Sequence, residues 1–144
     1  MIYLDSSCFL KLLIDEPDSE AVDRAVAREP VVVVSVLVQL EAVVQLCARR
    51  LGGLLGERRY RSYLDRIERL REIEPFRFVT LPGTVFDVAL RQQKSLARAH
   101  VRSLDRLHVA AMEELALRRL MTTDVAQARA AEALGFEVVR PGRP

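Results

Sequence analysis

Short apolar runs alternate along the chain with longer stretches in which apolar residues recur every three or four positions. The first pattern reads as strand and the second as amphipathic helix. Residues 2–4 read as a short strand, followed by a helix through Phe9, Leu10, Leu12, Leu13 and Ile14. Pro17 breaks that helix and opens a second, carrying Ala21, Val22, Ala25 and Val26, which Pro30 closes. Residues 31–34 form an uninterrupted β-branched run, the pattern of a strand buried on both faces. Ser35 is placed to cap a long helix over 36–50 that stops at Gly52 and Gly53.

A heavily charged helix over 57–71 comes next, then a strand over 76–81. Helices over 84–99 and 103–119 follow, with Ser103 as the cap of the second. The remainder reads as a strand over 120–123, a helix over 125–134 stopped by Gly135, and a strand over 136–139. Strands alternating with helices need crossover connections and a parallel sheet covered on both faces. The expected fold class is α/β: one three-layer α/β/α domain with a central parallel sheet over residues 1–140, and a flexible tail at 141–144.

Composition fits this picture. Half of the 144 residues are apolar, enough for a full core without disulfides. Cys8 and Cys47 sit among apolar neighbours and read as buried free thiols, as suits a reducing cytoplasm. There is no Cys-x-x-Cys and no Cys/His cluster, which argues against zinc. The first residues lack a basic region, and no apolar run approaches the ~18 residues of a membrane span, so a soluble cytoplasmic protein with no membrane partner is expected. The net charge of +2 says little by itself. Its distribution says more: Arg91, Lys94, Arg98 and Arg102 are uninterrupted by acids, and a second basic stretch runs from Arg49 through Arg71. Phosphate contact and a solvated helix face explain the first stretch equally; the second leans toward solvated faces.

Four acids carry the candidate chemistry. Asp5 and Asp124 directly follow predicted strands, Asp105 lies in the first turn of a helix, and Glu41 lies in the second turn of the helix after residues 31–34. In open parallel sheets ligands bind beyond the carboxyl ends of the strands, so all four would project toward one edge. Each has a plainer explanation: Asp5 and Asp124 suit helix caps, and Asp105 suits a helix dipole. Glu41 is harder to dismiss. Its helix is polar only at Gln39, Glu41 and Gln45 between residues 36 and 48, so its carboxylate needs a cation or several donors. A pocket of converging carboxylates is a site for a hard divalent cation, and that points to metal-assisted phosphodiester cleavage, RNA being the favoured substrate. On this reading Asp5 and Asp105 are the main ligands of Mg²⁺, or of Mn²⁺ in its place. Glu41 and Asp124 complete the pocket, and at least one of the crowded acids has a raised pKa. Ser7 and Thr122 or Thr123 are candidate supporting hydroxyls. His108, three positions after Asp105, reads as a packing residue, His100 as a surface one, Lys11 as a solvated helix position, and Tyr60 and Tyr63 as helix or dimer packing.

Four blocks of sequence resemble one family. Tyr3-Leu4-Asp5-Ser6-Ser7 with Lys11-Leu12-Leu13 and Asp15-Glu16-Pro17 resembles the opening of PIN-domain ribonucleases, specifically the VapC toxins of toxin–antitoxin pairs. Ser35 with Leu40-Glu41 resembles the second block. Leu104-Asp105-Arg106-Leu107-His108-Val109-Ala110-Ala111 matches the family's Asp-x-Leu-His-x-Ala pattern, and Met121-Thr122-Thr123-Asp124 with residues 133–138 matches the closing segment. Residues 52–75 match no motif. The resemblance implies a PIN-like fold and an Mg²⁺- or Mn²⁺-dependent endoribonuclease, usually dimeric and held inactive by a cognate VapB-type antitoxin. Two alternatives stand beside it. A non-catalytic PIN-like module that binds RNA or protein would keep the fold while losing acids. A phospho-acceptor α/β protein meets Ser7 where a haloacid-dehalogenase-like phosphatase needs an acid, and has no lysine at a strand end as a receiver domain requires.

Overall fold

The structure, a computed structural model, describes residues 1–95 and 101–142. Its elements run β1 (Ile2–Leu4), α1 (Ser6–Leu13), α2 (Ser19–Val26), β2 (Val32–Ser35), α3 (Val36–Leu51), α4 (Glu57–Leu70), β3 (Phe76–Val79), α5 (Val85–Ser95), α6 (Ser103–Glu114), β4 (Arg119–Met121), α7 (Val125–Glu132) and β5 (Glu137–Val139). The strands pair in parallel throughout, in the order β3-β2-β1-β4-β5. Every residue of β1 and β2 is buried, which requires cover on both faces of the sheet. The expected three-layer α/β/α arrangement is therefore present. One continuous apolar cluster fills it, with Tyr3, Phe9, Leu46, Met112 and Met121 among its largest buried side chains.

Several boundaries differ from those read in the sequence. β3 stops at Val79 rather than residue 81 because its partner β2 ends at Ser35, the last residue in register with it. α2 begins at Ser19, two residues after Pro17, behind an Asp18 in the left-handed region at φ 71°. Ser103 is the first helical residue of α6 and not its cap; Arg102 holds that position. Of the helix expected over 84–99, residues 85–95 are α5, and its expected end lies outside the described residues, as do Arg98 and His100. Pro141 is buried and Gly142 lies against the side chain of Asp18, so the expected tail is anchored as far as Gly142; residues 143–144 lie outside the described residues.

The largest difference is the end of α6, at Glu114 instead of residue 119. Ala116 adopts φ 53°, Leu117 N donates to Met112 O at 2.9 Å, and Ala116 N donates to Glu113 O at 3.0 Å. That is the Schellman closure, normally built on glycine. α7 ends the same way on Gly135 at φ 79°, where the sequence does carry the glycine. Ala116→Gly is expected to raise stability by about 0.5–1 kcal/mol, since relief of the left-handed strain exceeds the added freedom of the unfolded chain. A urea midpoint that stays the same or falls would contradict this.

Candidate active site

From β1 the chain builds β2 and β3 on one side of the sheet, then crosses to β4 and β5 on the other. The gap between β1 and β4 is the topological switch point, where strand carboxyl ends diverge and leave a crevice. Asp5 leaves β1 there and Asp124 follows β4 by three residues. Asp5 is buried and caps α1. Its Oδ1 accepts from Ser7 Oγ at 2.7 Å and from Cys8 N at 3.1 Å, and its Oδ2 accepts from Thr122 Oγ1 at 2.5 Å. Burial raises the Asp5 pKa, and these three donors only partly offset it. Thr123 Oγ1 and N in turn donate to Ser7 Oγ, each at 3.0 Å. The expected hydroxyls thus form a cradle around Asp5 that stitches β1 to the segment after β4.

Asp124 caps α7, its Oδ1 accepting from Ala126 N at 2.7 Å and Gln127 N at 3.0 Å. The capping explanation of both aspartates is therefore correct as far as it goes; capping is also what fixes them at the crevice. Asp105, on the first turn of α6, is different. Among the described residues its Oδ2 is buried without a hydrogen-bond partner, and Arg102 Nε stands 3.5 Å away as an ion-pair neighbour. Burial raises its pKa first of all, Arg102 opposes that, and the nearby charge of Asp124 adds to it. A raised carboxylate pKa at the site was expected from charge crowding; burial is the larger cause at both Asp5 and Asp105.

Glu41 has the compensation its apolar helix demands. Its burial would raise the pKa, but the hydrogen bond from His108, helped by Ser6 and Arg102, brings it below the usual range. His108 Nε2 lies 2.5 Å from Glu41 Oε2, and its Nδ1 lies 2.9 Å from the hydroxyl of buried Tyr3. The packing role expected for His108 is thus incomplete. It is buried, but polar at both ring nitrogens, and the sequence reading missed this. The available signal was positional: Tyr3 lies two residues before Asp5 on one strand, and His108 three after Asp105 on one helix face.

Glu41, Asp105 and Asp124 line one cavity of about 380 Å³ with Ser6, Ser7 and Arg102 on its polar side. Leu10, Leu37, Leu40, Val44 and Leu104 form its apolar side. Asp5 lies behind Ser7, bonded to it. The donor set is all oxygen, with an unpartnered carboxylate oxygen at Asp105, which suits a hard cation. Among the described residues no three His, Cys, Asp or Glu side chains come close enough to hold an ion directly. A cation in this cavity would have to be reached partly through water, as suits Mg²⁺, which keeps much of its hydration.

Other expectations resolve plainly. Lys11 donates to Pro17 O at 2.8 Å and pairs with Glu16 at 3.6 Å, so it braces the end of α1. Tyr60 and Tyr63 are part-buried against the core, and Arg50 covers the Tyr60 ring at 4.8 Å. Cys8 is buried, while Cys47 is only half-buried, on a face of α3 the core does not fully cover. Arg91 is tied to Glu113 at 2.5 Å and Arg49 to Glu16 at 2.5 Å, so neither basic stretch is simply a free cationic face. No helix among the described residues is long and apolar enough to cross a membrane.

A family model described as PIN domain matches residues 2–133. The chain is similar to Ribonuclease VapC46 of Mycobacterium tuberculosis (strain ATCC 25618 / H37Rv), 31% identical over 142 residues that cover 97% of each protein. Its fold is similar to that of Mycobacterium tuberculosis VapC20, a sarcin-ricin loop cleaving toxin, with TM-score 0.69 and 21% identity over 98% of this chain and 100% of that one. It is also similar to VapBC2 from Rickettsia felis, solved bound to a DNA fragment from their promoter, with TM-score 0.71 and 11% identity over 97% of this chain and 98% of that one.

Proposed function

The chain belongs to the PIN-domain family, in its VapC group, and from that premise we propose that it is a metal-dependent endoribonuclease, the toxin of a toxin–antitoxin pair. The observation that carries this is the gathering of Glu41, Asp105 and Asp124 on one cavity at the switch point, with Asp5 bonded into its wall. The relative named as a ribonuclease, matched along nearly its whole length, supports the same reaction.

Bound Mg²⁺ supplies neutralisation of phosphate charge and a more acidic water. The chain's own residues do the rest. Asp5 and Asp105 would hold the ion, Asp105 with the oxygen that has no donor of its own. Asp124 is fixed through Oδ1 by the α7 cap, and Glu41 through Oε2 by His108. Both carboxylates are thereby held at the cavity for orienting an attacking water, Asp124 with its Oδ2 and Glu41 beside Ser6. Arg102, exposed at the rim, stands where a phosphate would arrive.

Partners follow from the same group. The chain would be neutralised by a VapB-type antitoxin and pair with a second copy of itself in the cytoplasm. Exposed Leu40, Val44 and Leu104 beside the acids give apolar surface suited to a protein partner. The test is direct: purified protein cleaves single-stranded RNA when Mg²⁺ or Mn²⁺ is added, and excess EDTA stops it. Cleavage that persists in EDTA would reject metal dependence, and no cleavage of any cellular RNA with either ion would reject the nuclease.

A further inference from the structure

Behind the cavity wall runs a line of buried polar contacts that ends on Glu41. Val38 N donates to Ser35 Oγ at 3.4 Å. The Ser35 and Tyr3 hydroxyls lie 2.7 Å apart, Tyr3 Oη lies 2.9 Å from His108 Nδ1, and His108 Nε2 lies 2.5 Å from Glu41 Oε2. Ser35, Tyr3 and His108 are all buried, and the Tyr3 and His108 rings meet edge-on with centroids 5.8 Å apart. Each hydroxyl has one proton to give, so the bonds can be ordered.

We propose that Tyr3 and His108 are positioning residues: a one-way hydrogen-bond relay, Ser35 to Tyr3 to His108 to Glu41, turns the His108 Nε2 proton toward Glu41 and so sets where Glu41 stands at the cavity. Ser35 gives its proton to the Tyr3 oxygen. Tyr3 then gives its own to Nδ1, which leaves the imidazole proton on Nε2, facing the carboxylate. The opposite order puts an Nε2 lone pair against a carboxylate oxygen at 2.5 Å, and that contact repels.

The relay is also placed to keep the acids in register with one another. Tyr3 and Asp5 share β1 and its end, His108 and Asp105 share a face of α6, and Ser35 and Glu41 belong to β2 and the α3 helix it leads into. Each relay member therefore stands on the element that carries an acid or on the strand that leads directly into it. A hydrogen-bond partner behind a metal-site carboxylate is typically worth about 10–100-fold in affinity or rate.

The proposal rests on the nuclease reading for its consequence but not for its geometry, and the experiment keeps the two apart. Imidazole ¹⁵N spectra of the metal-free protein, with the His108 signals identified by their loss in His108→Gln, should show one protonated nitrogen and one unprotonated, hydrogen-bonded nitrogen, with the proton on Nε2. In Tyr3→Phe the Nδ1-protonated form should gain population. Two protonated nitrogens, or a Nδ1–H tautomer in the unaltered protein, would overturn the relay. In cleavage and Mn²⁺ binding, His108→Ala should lose about 10–100-fold, Tyr3→Phe less, and His108→Gln, whose amide can place a donor where Nε2 stands, should recover most of the loss. Equal losses in His108→Ala and His108→Gln, or losses that merely track melting temperature, would also overturn it. An unaltered protein that cleaves no RNA counts against the nuclease; the nitrogen spectra and Mn²⁺ affinities still judge the relay.

Discussion

Asp105→Asn is expected to lower RNA cleavage by at least about 10³-fold, well beyond the 10–100-fold that losing an outer partner of a metal ligand costs. The protein should stay folded. The Asp105 carboxyl is held above its ordinary pKa chiefly by burial, and its Oδ2 has no hydrogen bond to lose. The ion pair with Arg102 spans 3.5 Å to an exposed guanidinium, a pair of small worth. Melting temperature should therefore hold or rise while activity vanishes. Activity within tenfold of the parent would remove Asp105 from the site.

Asp5→Asn should behave alike and adds a pH signature. Asp5 has a higher pKa folded than unfolded, so between the two values the folded chain binds more protons. Its contribution to stability then rises as pH falls through the folded pKa and levels off below the unfolded value of about 4. Asparagine removes the buried charge, so the variant's advantage should be full at neutral pH and vanish in acid. Thr122 can rotate its hydroxyl to accept from the new amide while still accepting from Asp124 N at 3.0 Å.

Thr122→Val is the second large effect. Thr122 is fully buried, and its Oγ1 both donates to Asp5 Oδ2 and accepts from Asp124 N. Valine keeps the shape and leaves both groups without that partner, a cost of about 2–3 kcal/mol at neutral pH. The same sign argument makes the penalty shrink on acidification, because a protonated Asp5 no longer needs the donor. Denaturant unfolding at two pH values reads this directly. In the Asp5→Asn background the penalty should fall, and additive effects in that double-mutant cycle would show that the hydroxyl acts on something other than Asp5.

How much of this was legible in the chain varies by element. The β-branched run over 31–34 marked β2 because a doubly covered strand favours unbroken apolar residues, and Gly135 marked the end of α7 because glycine is the usual left-handed cap. The end of α6 carried no such mark. An alanine does glycine's work at position 116, and the helical pattern runs on without a break. The strand-end positions of Asp5 and Asp124 were readable from local order alone. The bond from His108 to Glu41 spans 67 positions and that from Tyr3 to His108 spans 105, and no local pattern encodes a contact between elements on separate crossovers. Glu41's need for compensation was visible; that a histidine supplies it was not.

The strand order has a consequence for how the molecule comes into being. β1 leaves the ribosome first, but its neighbour β4 and the hydroxyl of Thr122 that grips Asp5 are translated some of the last. A nascent chain can bring β1 beside β2 early, since the two strands are consecutive in sequence. It cannot finish the centre until β4 has followed. Prematurely terminated products lacking the segment from β4 onward would carry Asp5, Glu41 and Asp105 without Asp124 or the Thr122 donor, so translation errors should yield inert fragments.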